Sequence, residues 1–224
     1  MPTEIKILLV DDHPLVRQGL ADMIGRHPDL KVCGEAENEP EALELIGSVQ
    51  PDVAIVDISL ENGSGIELVK SIKAIHPEVK SLVLSMHDES LYAERALRAG
   101  ARGYIMKREA AKKIIDGIRS VMAGRLFISE KISAVMAEKF VDGTAVGDTS
   151  PFDQLSNREL EVFDLIGRGL TTRQIADHLH IGFKTVQAFS ARIKEKLKLP
   201  NANELMRAAM RHQEKQNGKI DSSA

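Results

Sequence analysis

The chain lacks the features that mark secreted and membrane proteins. Its one cysteine, Cys33, cannot form a disulfide within the chain, and its apolar neighbours favour a small buried side chain over a reactive thiol. No apolar run approaches the roughly 20 residues of a membrane-spanning helix, and we find no signal peptide, internal repeat or low-complexity tract. These absences predict a globular protein in the reducing cytoplasm, with no membrane as partner.

Charge is unevenly distributed along the chain, although the net charge is only −3. Residues 1–124 carry 15 basic and 20 acidic side chains, whereas residues 154–224 carry 12 basic and 8 acidic ones. An acidic front half and a basic back half predict two domains with different partners, of which the second partner is a polyanion.

The front half alternates short apolar runs with helical patterns. Continuous aliphatic runs at 7–10, 53–56 and 82–84 are typical of strands buried on both faces of a parallel sheet. Weaker strands are predicted at 31–36 and 103–106. Helices are predicted at about 14–26, 39–48, 64–76, 89–99 and 109–123, and several end in glycine or proline, at Gly47, Pro77, Gly100 and Gly124. This alternation predicts an α/β doubly wound fold with a five-stranded parallel sheet.

The remainder of the chain contains no strand pattern. Small, polar and turn-forming residues dominate 141–151, which predicts a linker, and 155–212 is helical in pattern. The predicted organisation is a first domain at 1–124, a linker with a short helix at 125–153, a small all-α domain at 154–212 and a flexible tail at 213–224.

Reactive or charged side chains follow the predicted strands. Asp11 and Asp12 follow the first strand, Asp57 ends the third, Ser85 ends the fourth and Lys107 follows the fifth. The carboxyl ends of parallel strands meet at one edge of the sheet, where ligands bind. Three carboxylates there would repel one another unless a cation such as Mg²⁺ lay between them. A carboxylate can then accept a phosphoryl group as nucleophile, while a lysine and a hydroxyl bind the phosphate oxygens.

Residues 5–124 resemble a receiver domain, which has a flavodoxin-like fold. The matching segments are Leu9-Val10-Asp11-Asp12-His13-Pro14, Val56-Asp57-Ile58, Leu84-Ser85 and Tyr104-Ile105-Met106-Lys107. The resemblance implies that Asp57 is the phosphoacceptor and that Lys107 binds the phosphate. It also implies a switch pair, Ser85 and Tyr104, and a Mg²⁺ site formed by Asp11, Asp12, Asp57 and the carbonyl of Ser59. Glu61 departs from the family, which commonly has proline there, and an acidic loop near the metal would change the lifetime of the phosphate.

The back half has the pattern of a helix-turn-helix. Ser156 with Glu159 forms a predicted capping box, Gly169 ends that helix, and Thr171 caps the next. A break at Ile181-Gly182 precedes a third helix at about 184–198. The second helix of such a motif normally enters the major groove of DNA.

The predicted third helix has two faces. Val186, Phe189, Ile193 and Leu197 are expected to point inward, and Lys184, Gln187, Ala188, Ala191, Arg192 and Lys198 outward. The predicted DNA contacts are Lys184, Gln187, Ala188, Arg192, Thr171, Arg173, Lys194 and Lys198, with Lys196 also expected within reach of phosphates.

Residues 155–210 resemble the LuxR-type helix-turn-helix of the NarL/FixJ subfamily. The matching segments are Leu155-Ser156-Asn157-Arg158-Glu159, Gly169-Leu170-Thr171, Ile175-Ala176, Thr185-Val186 and Lys196-Leu197. The sequence departs at Gln187, Phe189 and Ala202, where the family usually has lysine, histidine and arginine. Together the two resemblances imply the response regulator of a two-component system. A sensor histidine kinase would phosphorylate it, and it would bind promoter DNA, as a homodimer when phosphorylated or DNA-bound. It is not expected to be an enzyme, because a receiver promotes only its own phosphorylation and dephosphorylation.

Two alternatives remain open from the residues alone. The three departures allow a phosphorylation-gated protein-interaction module that has lost DNA binding, and salt-dependent binding to duplex DNA would separate the two functions. The second alternative is a phosphatase with Asp57 as its nucleophile. That chemistry generally needs a second acid two residues later, where this chain has Ser59.

Overall fold

The structure, a computed structural model, describes residues 4–60, 63–87, 89–141 and 151–218. The chain divides into two compact units, Met1–Ala145 and Val146–Ala224, each described below by itself. The division lies inside the predicted linker. Residues 142–150 of that linker, and Glu61 in the predicted acidic loop, lie outside the described residues.

The first unit contains a sheet of five parallel strands. The strands are β1 (Ile5–Val10), β2 (Leu30–Ala36), β3 (Val53–Asp57), β4 (Lys80–Ser85) and β5 (Gly103–Met106), in the spatial order β2-β1-β3-β4-β5. Every neighbouring pair is parallel. Side chains on both faces of β3 are buried, which is why its sequence is an unbroken apolar run rather than an alternating one. The predicted doubly wound parallel sheet is confirmed.

Five helices connect and follow the strands. They are α1 (Pro14–Ile24), α2 (Glu39–Val49), α3 (Gly65–Ile75), α4 (Glu89–Ala99) and α5 (Ala110–Met122). Gly100 and Gly124 follow their helices with φ of 122° and 76°, as glycine at a helix end allows. The predicted end at Gly47 is wrong. α2 continues to Val49, and Gln50 takes the left-handed conformation there instead, with φ of 49°.

The residues after α5 begin the predicted linker but remain part of the first unit. Phe127 pairs with Gly103 at the free edge of β5, and its carbonyl accepts a hydrogen bond from the Tyr104 amide at 2.9 Å. A Cβ on Gly103 would lie 2.8 Å from that carbonyl oxygen, so only glycine permits this close approach. Helix α6 (Glu130–Val141) follows and packs against α4.

The second unit is entirely helical among its described residues. After a 3₁₀ turn at Pro151–Gln154 come α7 (Asn157–Gly167), α8 (Thr172–His178), α9 (Phe183–Lys196) and α10 (Ala202–Gly218). The predicted capping box of Ser156 and Glu159 is confirmed, and Thr171 forms a second one with Gln174. Gly169, predicted to end the first of these helices, lies two residues after the end of α7 and takes a left-handed conformation with φ of 82°.

The C-terminal helix extends into the predicted tail. α10 continues to Gly218, past the predicted domain end at residue 212. Gln213 donates a hydrogen bond to the Asp164 carboxylate on α7, and the His212 ring lies 4.2 Å from that of Phe152, so these residues pack within the domain. Among the described residues, no helix has the length and apolarity that crossing a membrane requires.

Candidate functional site

Three carboxylates meet at the carboxyl edge of the sheet. β1 pairs with β3 so that Val10 lies opposite Val56, which brings Asp11 and Asp57, the residues that follow them, to the same edge. Asp11 and Asp57 are 2% and 3% exposed. Oxygen atoms of Asp11, Asp12 and Asp57 and a ring nitrogen of His13 all lie within 4.8 Å of one another. The structure therefore brings together the three carboxylates that the sequence placed at strand ends.

Lys107 reaches this group from the end of β5. Its Nζ lies 2.7 Å from Asp57 Oδ2 and 2.6 Å from Asp11 Oδ2. Burial lowers the pKa of Lys107, but the charges of Asp57 and Asp11 outweigh it and hold the pKa above its usual value. The lysine therefore supplies a fixed positive charge beside Asp57, where an incoming phosphate would develop negative charge.

The donor set fits a hard divalent cation. Asp11 Oδ2 and Asp12 Oδ1 are buried, and neither accepts a hydrogen bond of normal geometry from the described residues, although Lys107 and His13 nitrogens lie at ion-pair distance. Three carboxylates this close together suit a divalent cation, and Mg²⁺ prefers carboxylate and carbonyl oxygens. The Ser59 amide lies 3.3 Å from Asp57 Oδ1, so Ser59 borders the same pocket.

A small hydrogen-bonded cluster lies beside the carboxylates at the end of β4. The Ser85 hydroxyl accepts a hydrogen bond from the His87 amide at 3.0 Å, and the Tyr104 hydroxyl donates one to the His87 carbonyl at 3.1 Å. Ser85 is fully buried and Tyr104 is 4% exposed. The predicted switch residues are thus joined through His87.

His87 is a site residue that the sequence analysis missed. Its Nε2 lies 2.7 Å from the Ser59 hydroxyl, and its ring stacks on Tyr92 with centroids 4.7 Å apart. Its position two residues after Ser85, matching that of Ser59 after Asp57, is the only signal in the sequence that points to it.

The second unit presents a helix with one buried and one exposed face. On α9, Val186 and Ile193 are fully buried and Phe189 is only partly buried, as is Leu197 just after the helix. The predicted reading residues Lys184, Gln187, Ala188 and Arg192 are all exposed, as are Ala191 and, on α8, Arg173. α8 packs against α9, which is the arrangement of a helix-turn-helix.

Comparisons with known proteins agree with this architecture. The family model for the response regulator receiver domain matches residues 7–119, and that for bacterial regulatory proteins of the luxR family matches residues 153–209. The chain is a response regulator of the LuxR family.

Its relatives match over nearly their whole length. Oxygen regulatory protein NreC of Staphylococcus carnosus is 35% identical over 92% of this chain and 97% of its own. Response regulator GacA of Pseudomonas syringae is 34% identical over 98% of this chain and 100% of its own. The crystal structure of a LuxR-family two-component response regulator from Aurantimonas has 34% identity and a TM-score of 0.57, covering 62% of this chain and 99% of its own.

Two predicted DNA contacts of this response regulator, Lys198 and Lys196, differ in setting from the expectation. α9 ends at Lys196, so Lys198 lies beyond the helix, with φ of 54°, instead of on its outward face. Lys196 forms an ion pair with Glu159 at 2.6 Å, so its charge is already paired within the domain. Thr171 is exposed and caps α8, as predicted, and Lys194 is partly buried. Phe183, the first residue of α9, is 48% exposed, and the sequence analysis did not predict an exposed aromatic side chain there.

The metal-free protein should lose stability as pH rises through the titration of Asp57. Burial raises the pKa of Asp57 from 3.8 to about 6, with Asp11 adding to the rise and Lys107 opposing it. The folded state therefore holds the proton more tightly than the unfolded state. This contribution is complete below about pH 4 and is lost as the pH rises through about 6, at a total cost of about 3 kcal/mol.

The measurement is urea unfolding in EDTA between pH 4 and 7, on the wild type and Asp57→Asn. The difference in unfolding free energy between the two proteins separates the contribution of Asp57 from that of other titrating groups. Parallel curves for the two proteins across this range would contradict the assignment.

Proposed function

We propose that this response regulator accepts a phosphoryl group on Asp57 from a sensor histidine kinase and, once phosphorylated, binds promoter DNA as a homodimer. The observation that carries the proposal is the buried Asp57 carboxylate, 2.7 Å from Lys107 and within 4.8 Å of the Asp11 and Asp12 oxygens. The exposed reading face of α9 supports DNA as the partner of the second unit.

The transfer forms a bond between one Asp57 carboxylate oxygen and phosphorus. It breaks the phosphorus–nitrogen bond of the donor phosphohistidine, whose imidazole leaves with the bonding electron pair. Asp57 attacks as the carboxylate, and the Lys107 charge 2.7 Å away favours that form. Asp11, Asp12, Asp57 and the Ser59 carbonyl would hold Mg²⁺, and bound Mg²⁺ would neutralise charge between these carboxylates and the phosphoryl oxygens.

The Ser85 cluster supports a route from the phosphate to the rest of the domain. The Ser85 hydroxyl can donate a hydrogen bond to a phosphoryl oxygen on Asp57, which changes its present bond with the His87 amide. The His87 carbonyl holds the Tyr104 hydroxyl, and the Tyr104 amide is bonded to Phe127 in the linker. Phosphorylation thereby biases an equilibrium of the segment that leads to the second unit.

The first test separates phosphorylation from its consequence. Ser85→Ala should still be phosphorylated by a small phosphodonor with Mg²⁺, because this variant keeps Lys107 and the three carboxylates of Asp11, Asp12 and Asp57. It should lose most of the phosphorylation-dependent gain in DNA binding and dimerisation, measured by fluorescence anisotropy and light scattering. A gain in Ser85→Ala as large as in the wild type would refute the route through Ser85.

The second test concerns how α9 meets DNA, using duplexes that the phosphorylated protein retains from a random pool. Gln187→Ala should relax the preference at one base position by about 1–3 kcal/mol, because glutamine can form two hydrogen bonds with adenine. Lys184→Ala should weaken binding to all DNA sequences alike. It should also make the slope of log affinity against log salt concentration shallower by about one unit. The absence of salt-dependent binding to any duplex would instead favour the protein-interaction module.

A further inference from the structure

A buried guanidinium contacts the main chain of Asp11, next to the carboxylate group. Arg17, on α1, has a side chain that is 10% exposed. Its Nη1 donates to the Asp11 carbonyl at 2.5 Å, its Nη2 to Glu37 Oε1 at 2.7 Å and its Nε to Glu35 Oε2 at 3.2 Å. A buried charge is costly unless it is paired and hydrogen-bonded, and here all three nitrogens have acceptors.

These bonds tie together the ends of β1 and β2. The Asp11 amide donates to the Ala36 carbonyl at 3.1 Å, so both main-chain polar groups of Asp11 are held. Glu37 is anchored in turn, because its amide donates to Glu41 Oε2 at 2.8 Å. Arg17 therefore fixes the main chain from which the Asp11 carboxylate projects toward Asp57 and Lys107.

The bonds also leave the Asp11 carboxylate available to a cation. Arg17 contacts the carbonyl of Asp11, while its charge is met by the carboxylates of Glu35 and Glu37. Burial lowers the pKa of Arg17, but Glu37 and Glu35 raise it by more than burial lowers it. The guanidinium therefore stays charged. A cation between Asp11, Asp12 and Asp57 thus does not compete with Arg17 for ligand atoms.

We propose that Arg17 is a positioning residue of the divalent-cation site, which presents the Asp11 and Asp12 carboxylates to Mg²⁺ by holding the Asp11 main chain. This role rests on the metal site of the proposed function and adds a residue that touches neither the metal nor the phosphate. Mutation of residues that orient metal ligands without contacting the metal typically lowers metal affinity by about 10–100-fold.

The experiment is a calorimetric titration of the full-length protein with Mg²⁺, well below its melting temperature. Arg17→Met keeps the length and apolar stem of the side chain but removes its donors, and it should weaken Mg²⁺ binding about 10–100-fold. Arg17→Lys keeps the charge but cannot serve three acceptors with one planar group, so its affinity should lie between those of Arg17→Met and the wild type.

The matched control is Arg119→Met. Arg119, on α5 in the same unit, forms an ion pair with Asp29 at 3.0 Å, and both side chains are substantially exposed. Its loss should leave Mg²⁺ affinity unchanged. A purely structural role for Arg17 would lower the unfolding midpoint of Arg17→Met without changing the Mg²⁺ affinity of the folded protein, and that result would overturn the proposal.

The remaining outcomes are also decisive. If Arg17→Met does not fold, Arg17→Lys decides, since affinity equal to the wild type would exclude the role and weaker affinity would support it. If the wild type itself binds no Mg²⁺, the metal site of the proposed function is refuted and the role of Arg17 falls with it. Equal binding by the wild type and folded Arg17→Met refutes the role of Arg17 alone.

Discussion

Replacing Asp57 with asparagine should abolish the uptake of a phosphoryl group from a small phosphodonor in the presence of Mg²⁺. The amide cannot act as the nucleophile that the carboxylate provides. Intact-protein mass spectrometry should show the wild type gaining the mass of one phosphoryl group and Asp57→Asn gaining none.

The matched control is Asp52→Asn. Asp52 precedes β3 at the opposite edge of the sheet, where its carboxylate accepts a hydrogen bond from the Lys6 amide at 2.8 Å, and an asparagine oxygen can do the same. This variant should be phosphorylated like the wild type. Asp57→Asn should also be at least as stable as the metal-free wild type at pH 7.5, because it removes a buried charge whose pKa is raised. Equal uptake by Asp57→Asn and the wild type would exclude Asp57 as the acceptor.

The carboxylate group could be predicted because it depends on topology alone. Once the apolar runs are assigned to parallel strands, the residues that follow them must meet at one edge of the sheet. Asp11, Asp57 and Lys107 each follow or end a strand, and their side chains meet there within hydrogen-bonding distance. Neither the exact register nor any loop conformation was needed for this inference.

The interactions of His87 and Arg17 could not be predicted in the same way. His87 contacts Ser59 and Tyr104 from the irregular segment that follows β4, and no periodicity encodes the conformation of such a segment. Arg17 lies on α1 among residues whose pattern marks a helix, and an arginine there is most simply a solvated surface charge. Its burial follows from acceptors on Asp11, Glu35 and Glu37, of which the two glutamates lie 18 and 20 residues farther along the chain.

The end of α9 was misplaced for a local reason. A periodic apolar pattern continues through Leu197, but the helix stops at Lys196 and Lys198 takes a left-handed conformation. Leu199 donates its amide to the Lys194 carbonyl, which satisfies a carbonyl at the helix end. Glycine, the residue that most often takes this conformation, is absent here, and Pro200 just beyond is the remaining sequence signal that the helix ends.

Replacing Lys196 with methionine should destabilise the helix-turn-helix domain and not simply weaken its contact with DNA. Lys196 Nζ lies 2.6 Å from Glu159 Oε2, and the Glu159 side chain is 4% exposed. Burial raises the pKa of Glu159, but Lys196 and the Ser156 cap outweigh it and hold the pKa below its usual value. Removing one partner of a buried ion pair costs roughly 3–5 kcal/mol, and we expect about 2–3 kcal/mol here because Lys196 is partly exposed.

A double-mutant cycle and one neighbouring lysine distinguish this role from a phosphate contact. Glu159→Gln with Lys196→Met should recover much of the loss, because the neutral amide still accepts the Ser156 amide bond, which is 2.7 Å long in the wild type. Lys194→Met, two residues away, should leave stability nearly unchanged but make the salt dependence of DNA binding shallower by about one unit. Urea unfolding followed by circular dichroism, with DNA titrations at several salt concentrations, gives both readouts. If Lys196→Met keeps wild-type stability and changes only the salt dependence, Lys196 contacts phosphate and its pairing with Glu159 contributes little.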